Sequence, residues 1–198
     1  RNFRLGDFQL SAGTNVNFAR YFNDSDLRII TQSGPVIDNY LSDLNLTQYG
    51  FYLQGSRKLL DSKLELSGGL RIDGSDYSKL TSNPLEQFSP RISARYRFAE
   101  RFALNLNGGI YHMLPSYTAL GFIQNGNLSN QNTLKYIRNE QIVGGIEFNG
   151  KNNLRITAET YYKKYKNYPF SLRNGISLAN VGGDFGVVGA EPLDSRGV

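Results

Sequence analysis

Period-two alternation sustained over ten or more residues is the feature that most narrows what this chain can become. In FALNLNGGIYH, Phe102, Leu104, Leu106, Gly108, Ile110 and His112 share one parity, against Ala103, Asn105, Asn107, Gly109 and Tyr111. Successive side chains of a strand point to opposite faces, so this is strand patterning and not a helical period. The same pattern recurs in FQLSAGTNVNF (8–18), TQYGFYLQGSRKLL (47–60), KLELSGGLRID (63–73), RISARYRF (91–98), QIVGGIEF (141–148) and LRITAETYY (154–162), which makes seven strands. Soluble strands average about 5–6 residues, whereas a tilted strand that crosses a bilayer needs about 9–11. The length of these runs predicts membrane crossing by strands. No stretch approaches the ~18 apolar residues of a membrane helix.

The connections alternate in length. Leu60 to Lys63, Phe98 to Phe102 and Phe148 to Leu154 are tight, the last carrying Asn149-Gly150, while residues 22–46, 74–88, 113–137 and 168 onward read as long polar loops. All short turns then fall at one end and all long loops at the other, the asymmetry of outer-membrane barrels with short periplasmic turns and long extracellular loops. Turn geometry predicts register too. A two-residue turn at Asp61-Ser62 pairs Leu59 with Leu64, Leu53 with Leu70 and Phe51 with Ile72. Centring the next turn on Glu100 pairs Phe98 with Phe102 and Tyr96 with Leu104; centring the third on Lys151 pairs Phe148 with Leu154 and Ile146 with Ile156. Each choice keeps the apolar set on one face and sets Lys58 against Glu65 and Glu147 against Arg155 on the other.

The expected class is therefore all-β: an antiparallel up-and-down transmembrane β-barrel portion of about 7–8 long strands. Leu64, Leu66, Leu70, Ile92, Leu104, Leu106, Ile146 and Ile156 are its expected lipid face. The cluster Tyr161 to Tyr168, YYKKYKNY, is basic and aromatic, but it lies at the end of an alternating strand. Tyrosine rings favour the membrane interface, and Lys163, Lys164 and Lys166 can snorkel to headgroup level. A net charge of +5 is modest, and no nucleic-acid-binding motif is present, so nucleic acid is not an expected partner. With no cysteine and a single histidine, His112, neither a disulfide framework nor a zinc site is expected. Nothing in the sequence assembles a catalytic constellation, and no cofactor is implied.

The pieces FSPRISARYRF (88–98), LNLNGGIYHMLPSY (104–117), YIRNEQIVGGIEF (136–148), LRITAETYYKKYKNYP (154–169) and NVGGDFGVVGAEP (180–192) resemble the barrel of TonB-dependent outer-membrane receptors. That resemblance implies a barrel of about 22 strands with a plug in its lumen. It also implies residence in the outer membrane of a Gram-negative bacterium. The implied function is import of a siderophore, cobalamin, haem or a glycan, driven through a TonB complex. The expected partners are outer-membrane lipid, the rest of the same barrel and its plug, the TonB complex and a small nutrient ligand. Residues 1–198 start at Arg1 with neither a signal peptide nor a plug segment, so they read as a fragment of a single outer-membrane barrel domain. An odd strand count supports this, although the segment after Asp184 could add an eighth strand.

Ligand contact is expected from the loop between Met113 and Tyr136, which mixes rings with amides, with loop-on-loop packing that seals the barrel mouth as the competing reading. Tyr117, Phe122, Gln124, Asn125, Asn127 and Tyr136 are its candidates, joined by Arg91 and Arg95 from the lumen wall, where pairing with barrel carboxylates is the competing fate. The barrel is expected to fold with Thr118–Asn132 deleted. From a different class, a soluble β-sandwich adhesin or glycan-binding module would bury the same apolar faces.

Overall fold

The computed structural model describes residues 2–31, 34–181 and 191–196. In chain order its strands are β1 (Asn2–Leu5), β2 (Phe8–Thr31), β3 (Gly34–Leu59), β4 (Leu64–Ser75), β5 (Ser89–Ala99) and β6 (Phe102–Met113). The short pair β7 (Ile123–Gln124) and β8 (Asn127–Leu128) follows, then β9 (Ile137–Asn149), β10 (Arg155–Lys166), β11 (Pro169–Ser171) and β12 (Leu193–Ser195). Two one-turn helices, α1 (Lys79–Ser82) and α2 (Tyr117–Leu120), sit in the loops. The main sheet has eight strands in the order β1-β2-β3-β4-β5-β6-β9-β10, every neighbouring pair antiparallel. All seven expected strands are present. The eighth is the N-terminal β1; of the segment after Asp184, residues 185–190 lie outside the described residues, and Leu193–Ser195 pairs with β11 instead of joining the main sheet.

The first long hairpin turns as expected. Lys63 N–H donates to Leu60 O at 3.0 Å. Asp61 and Ser62 take φ of 51° and 65°, the doubly positive pattern of a type I′ turn. Leu59 pairs with Leu64, Leu53 with Leu70 and Phe51 with Ile72. At the second turn Tyr96 faces Leu104, but a register shift between Arg97 and Ala99 sets Ala99 against Phe102. One extra residue absorbed as a bulge next to the turn displaces Phe98, whose ring stacks on Phe102 at 5.9 Å instead.

The third register differs by two residues: Phe148 pairs with Ile156 and Ile146 with Ala158. Gly150 N–H donates to Leu154 O at 2.7 Å, and Asn152 and Asn153 take φ of 57° and 60°, so the turn is longer than a three-residue connection. A shift of two leaves every side chain on its expected face. Glu147 and Arg155 still meet, diagonally, at 2.7 Å.

Residues 22–46 are not a loop. Nearly all of this segment is strand, so β2 and β3 form one hairpin of 24 and 26 residues. Ser42, Leu44 and Leu46 alternate buried with exposed Leu41, Asp43 and Asn45, a period of two that polar composition conceals. The segment 74–88 is likewise more structured than a plain loop, with α1 and a 3-10 turn at Pro84–Gln87. Strand β10 stops at Lys166, and Pro169 opens the separate strand β11 paired with β12.

Twelve-residue strands such as β4, β6 and β10 extend roughly 40 Å and, tilted, span roughly 30 Å, the thickness of a bilayer core. One face of the sheet is apolar and uncovered: Phe18 is 85% exposed, Ile92 69% and Leu106 52%, with Val16, Leu104, Ile142, Ile146 and Ile156 beside them. A sandwich would bury this face under a second sheet. The further sheets among the described residues are the two-stranded β7–β8 and β11–β12, so the soluble alternative fails. Directly beyond Phe18 on the outward face, Arg20 donates bidentately to Asp43 at 2.9 and 2.7 Å, marking where the hairpin leaves lipid. Arginine at Leu106 is expected to cost about 2–4 kcal/mol in folding of the intact protein into bilayers, and arginine at lumen-facing Asn105 far less. Denaturant titration checks this, and the opposite ranking would reverse the two faces.

Candidate functional site

The inner face of the long hairpin carries the buried apolar core of the described chain. Leu44, Leu46, Tyr77, Ala119, Leu120, Leu134 and Leu193 form it, with Ala19, Tyr21, Leu114, Leu128 and Leu178 packed around them. These residues come from the hairpin, from the segments after β4 and β6, and from β12, so several outer loops meet in one cap. Ser116 caps α2 by accepting from Ala119 N–H at 3.4 Å, and the following Gly121 docks against the hairpin. Ser42 Oγ and Tyr40 OH both donate to Gly121 O, at 2.5 and 3.1 Å. A Cβ on Gly121 would lie 2.7 Å from the Tyr21 ring, so only glycine allows this approach.

Asn130, which is buried, ties the segments together. Its Nδ2 donates to Ala119 O at 2.8 Å and Glu191 O at 2.9 Å, while its Oδ1 accepts from Leu193 N–H at 2.8 Å. Thr133 Oγ1 donates to Leu193 O at 2.7 Å, and Gln131 Nε2 to Tyr77 O at 2.8 Å. Burial pushes the Tyr77 phenol up, keeping it protonated to donate to Leu120 O at 2.9 Å.

The expected ligand residues separate into three groups. Tyr117, Gln124, Asn125 and Asn127 are exposed on the cap, the last three at the tip of the β7–β8 hairpin with Asn125 at φ 52°. Tyr117 OH accepts from Gln48 Nε2 at 2.8 Å. Phe122 and Tyr136 are parts of the structure: Phe122 stacks on Tyr40 at 6.1 Å, and Tyr136 is buried. Arg91 and Arg95 stand on the lumen wall, away from the loop. Arg95 and Arg155 both bind Glu147, at 2.6 and 2.7 Å, and that carboxylate is almost wholly enclosed. Arg97 donates to Ser62 O at 2.8 Å in the periplasmic turn.

Arg91 differs from its neighbours. Among the described residues it forms no ion pair, and its guanidinium lies 4.5 Å over the Tyr111 ring. It borders a depression of about 450 Å³ on the lumen wall, whose polar lining includes Tyr52, Gln54, Arg71, Asn107 and Tyr111. Arg71 is held there by Asp73 at 2.6 Å and Asn15 at 3.1 Å. Apart from Arg91, this group was not among the candidates from sequence. Its signal was available in the lumen parity shared by Tyr52 and Arg71, a directly paired couple. No group of metal-ligating side chains exists among the described residues.

An antiparallel sheet with a bare apolar outer face, a polar inner face, short turns at one end and a folded cap at the other is an integral outer-membrane β-barrel wall. Residues 1–194 match the family model for the TonB dependent receptor-like β-barrel, and the chain belongs to that family. It is therefore a protein of the Gram-negative outer membrane. Solved structures share the fold at low identity. The copper transporter OprC matches at TM-score 0.61 and 19% identity over 85% of this chain and 28% of that one. The ferric enterobactin receptor PfeA of Pseudomonas aeruginosa, in its G324V form, matches at 0.61 and 18% over 85% and 26%. The ferric-catecholate import receptor Fiu of E. coli K12 matches at 0.53 and 15% over 88% and 31%. The chain thus spans between a quarter and a third of these proteins. No curated protein sequence matches it significantly.

Leu120→Ala is expected to remove about 2–5 kcal/mol from the cap, and Asn130→Ala about 1–3 kcal/mol per stranded polar group. Hydrogen exchange in the intact protein would then rise across 114–136 and 191–196 while β4, β5 and β6 stay protected. Unchanged protection of the cap would show that this core does not hold it.

Proposed function

We propose that this chain is part of the wall and extracellular cap of an importer that takes a scarce small nutrient across the outer membrane. Energy comes from a TonB complex acting through a plug domain in the lumen. Family membership supports the class of protein, and the fold neighbours, a copper transporter and two ferric-siderophore receptors, favour metal complexes over sugars or cobalamin. The observation that carries the ligand class is Arg91. Arg71, Arg95 and Arg155 pair with Asp73 or Glu147 and Arg97 donates to the Ser62 carbonyl, whereas Arg91 forms no ion pair among the described residues and lies over a tyrosine ring beside a depression.

A cation flanked by Tyr52 and Tyr111 suits an anionic chelate bearing rings, which gains from charge and from stacking together. On the way in, Tyr117, Gln124, Asn125 and Asn127 offer one ring and a set of amides at the cap surface. Recognition in this reading has two stages, amides and a ring outside, charge inside. The protein works as a transporter and binding protein and not as an enzyme.

The test is uptake by cells carrying the full-length receptor, offered ferric catecholates, ferric hydroxamates, copper, haem, cobalamin and oligosaccharides. An anionic ferric chelate is expected to enter only when the TonB complex is intact. Arg91→Ala should weaken its binding about tenfold or more, the worth of a charge-assisted hydrogen bond. Arg97→Ala, at the periplasmic turn, should leave binding unchanged. Uptake of a neutral oligosaccharide instead, or wild-type affinity in Arg91→Ala, would overturn the ligand class.

A further inference from the structure

On the outside of the sheet the apolar face ends in a row of cations that import does not use. Across β6, β9 and β10, Gly108, Ile142 and Tyr162 lie at one level of the pairing, Ile110, Glu140 and Lys164 at the next, and His112, Arg138 and Lys166 above them. All share the lipid-facing parity of Ile146 and Ile156, so they point away from the lumen. Ile142 and Tyr162 are 53% and 66% exposed and finish the apolar belt; the cations begin immediately beyond, where headgroups lie.

The charges do not cancel. Arg138 Nη2 and Lys166 Nζ both reach one oxygen of Glu140, each at 2.8 Å. Lys164 forms no ion pair among the described residues, although it is the direct partner of Glu140 across the strands. Arg138 Nε is buried, so the guanidinium presents its Nη groups outward. One carboxylate is thus set against three cations. His112 closes the row with Nδ1 at 3.0 Å from Ser89 Oγ.

We infer that Arg138, Lys164 and Lys166 form a binding site for the phosphate of a phosphorylated glycolipid in the outer leaflet, with Ile142 and Tyr162 beneath it against the acyl chains. Guanidinium N–H groups and ammonium point charges are donors a phosphate takes, and the apolar step below distinguishes a lipid from a free anion. Glu140 holds two of the cations in place and tempers the site.

The experiment uses delipidated full-length receptor in detergent and three probes: bis-phosphorylated lipid A, the same lipid dephosphorylated, and inorganic phosphate. Each cation near an anionic lipid headgroup contributes about fivefold in affinity, so Lys164→Gln should weaken the phosphorylated lipid about fivefold and R138Q/K164Q/K166Q about a hundredfold. Lys164→Arg should bind like wild type, and Glu140→Gln more tightly. The dephosphorylated lipid should bind wild type as weakly as the phosphorylated lipid binds the triple variant. Should the triple variant fail the heat-modifiability test for folding, exposed Lys164→Gln and Lys164→Glu carry the comparison alone. Wild-type affinity in the Lys164 variants, equal binding of dephosphorylated lipid, or inorganic phosphate binding as tightly as the lipid would each overturn the site.

Discussion

A bilayer offers backbone amides no water, so every N–H and C=O that crosses it must find a partner in the protein, and each unpaired group would cost several kcal/mol. The eight-stranded ladder answers that demand, and the rest of this structure depends on it. Once the ladder is laid down, the pleat commits alternate residues to opposite media. Leu106 and Asn105 are neighbours in the chain, yet one meets lipid and the other the lumen. A slip of one residue would put Asn105 and Asn107 in hydrocarbon, which is why turns that change the parity between strands matter more than their composition. The Leu60–Lys63 turn reaches the type I′ geometry without a glycine. Continuous pairing above it, from Leu59 against Leu64 to Gln48 against Ser75, holds three non-glycine residues at positive φ.

The inner face carries the charges that the outer face cannot, and they are arranged in depth. Near the periplasmic end Glu147 on β9 binds Arg155 on β10 and Arg95 on β5, which reaches across β6. It can do so because the residue of β6 paired with Glu147 is Ala103, small enough to lie buried beneath the bridging side chains. Half-exposed arginines around one enclosed carboxylate lock three strands together, with two cations set against one anion. Higher on the wall Arg71 is paired with Asp73, whereas Arg91 forms no ion pair among the described residues and lies over the Tyr111 ring.

What could be read from the chain divides along the same line. Strand number, faces and the first register depend on period two and on one turn, both local, and these stand. The register at Gly150 differs from the expected one because turns differing by two residues keep the same faces, so alternation cannot tell them apart. Residues 22–46 looked like a loop because Asn23, Asp24, Ser25 and Asp26 are turn formers by composition. Burial of Leu44 and Leu46 acquires its meaning only when a segment some seventy residues later folds against them. The loop between Met113 and Tyr136 shows the converse. Its amides were all equally suited to a ligand on paper, yet Asn130 and Gln131 are spent on Ala119, Glu191, Leu193 and Tyr77, whereas Gln124, Asn125 and Asn127 stay exposed.

That division constrains how the mouth of the barrel can work. Asn130 bonds both to its own loop and to the segment 191–196, Gln131 and Leu120 bond to Tyr77, and Gly121 is seated on Ser42 and Tyr40. Moving one loop alone would strand a buried amide or carbonyl at about 1–3 kcal/mol for each group, besides opening apolar surface around Leu120 and Leu134. Moving the loops together with the inner face of the hairpin breaks none of these contacts. The cap is therefore built to shift as a unit, and Thr118–Asn132 cannot be removed from it as a spare flap, since that segment supplies Ala119, Leu120 and Asn130 to the core. The side chains that the core does not need, those at the β7–β8 tip and Arg91 on the wall, are the ones left free for the ligand contact proposed above, so that such binding need not compete with folding.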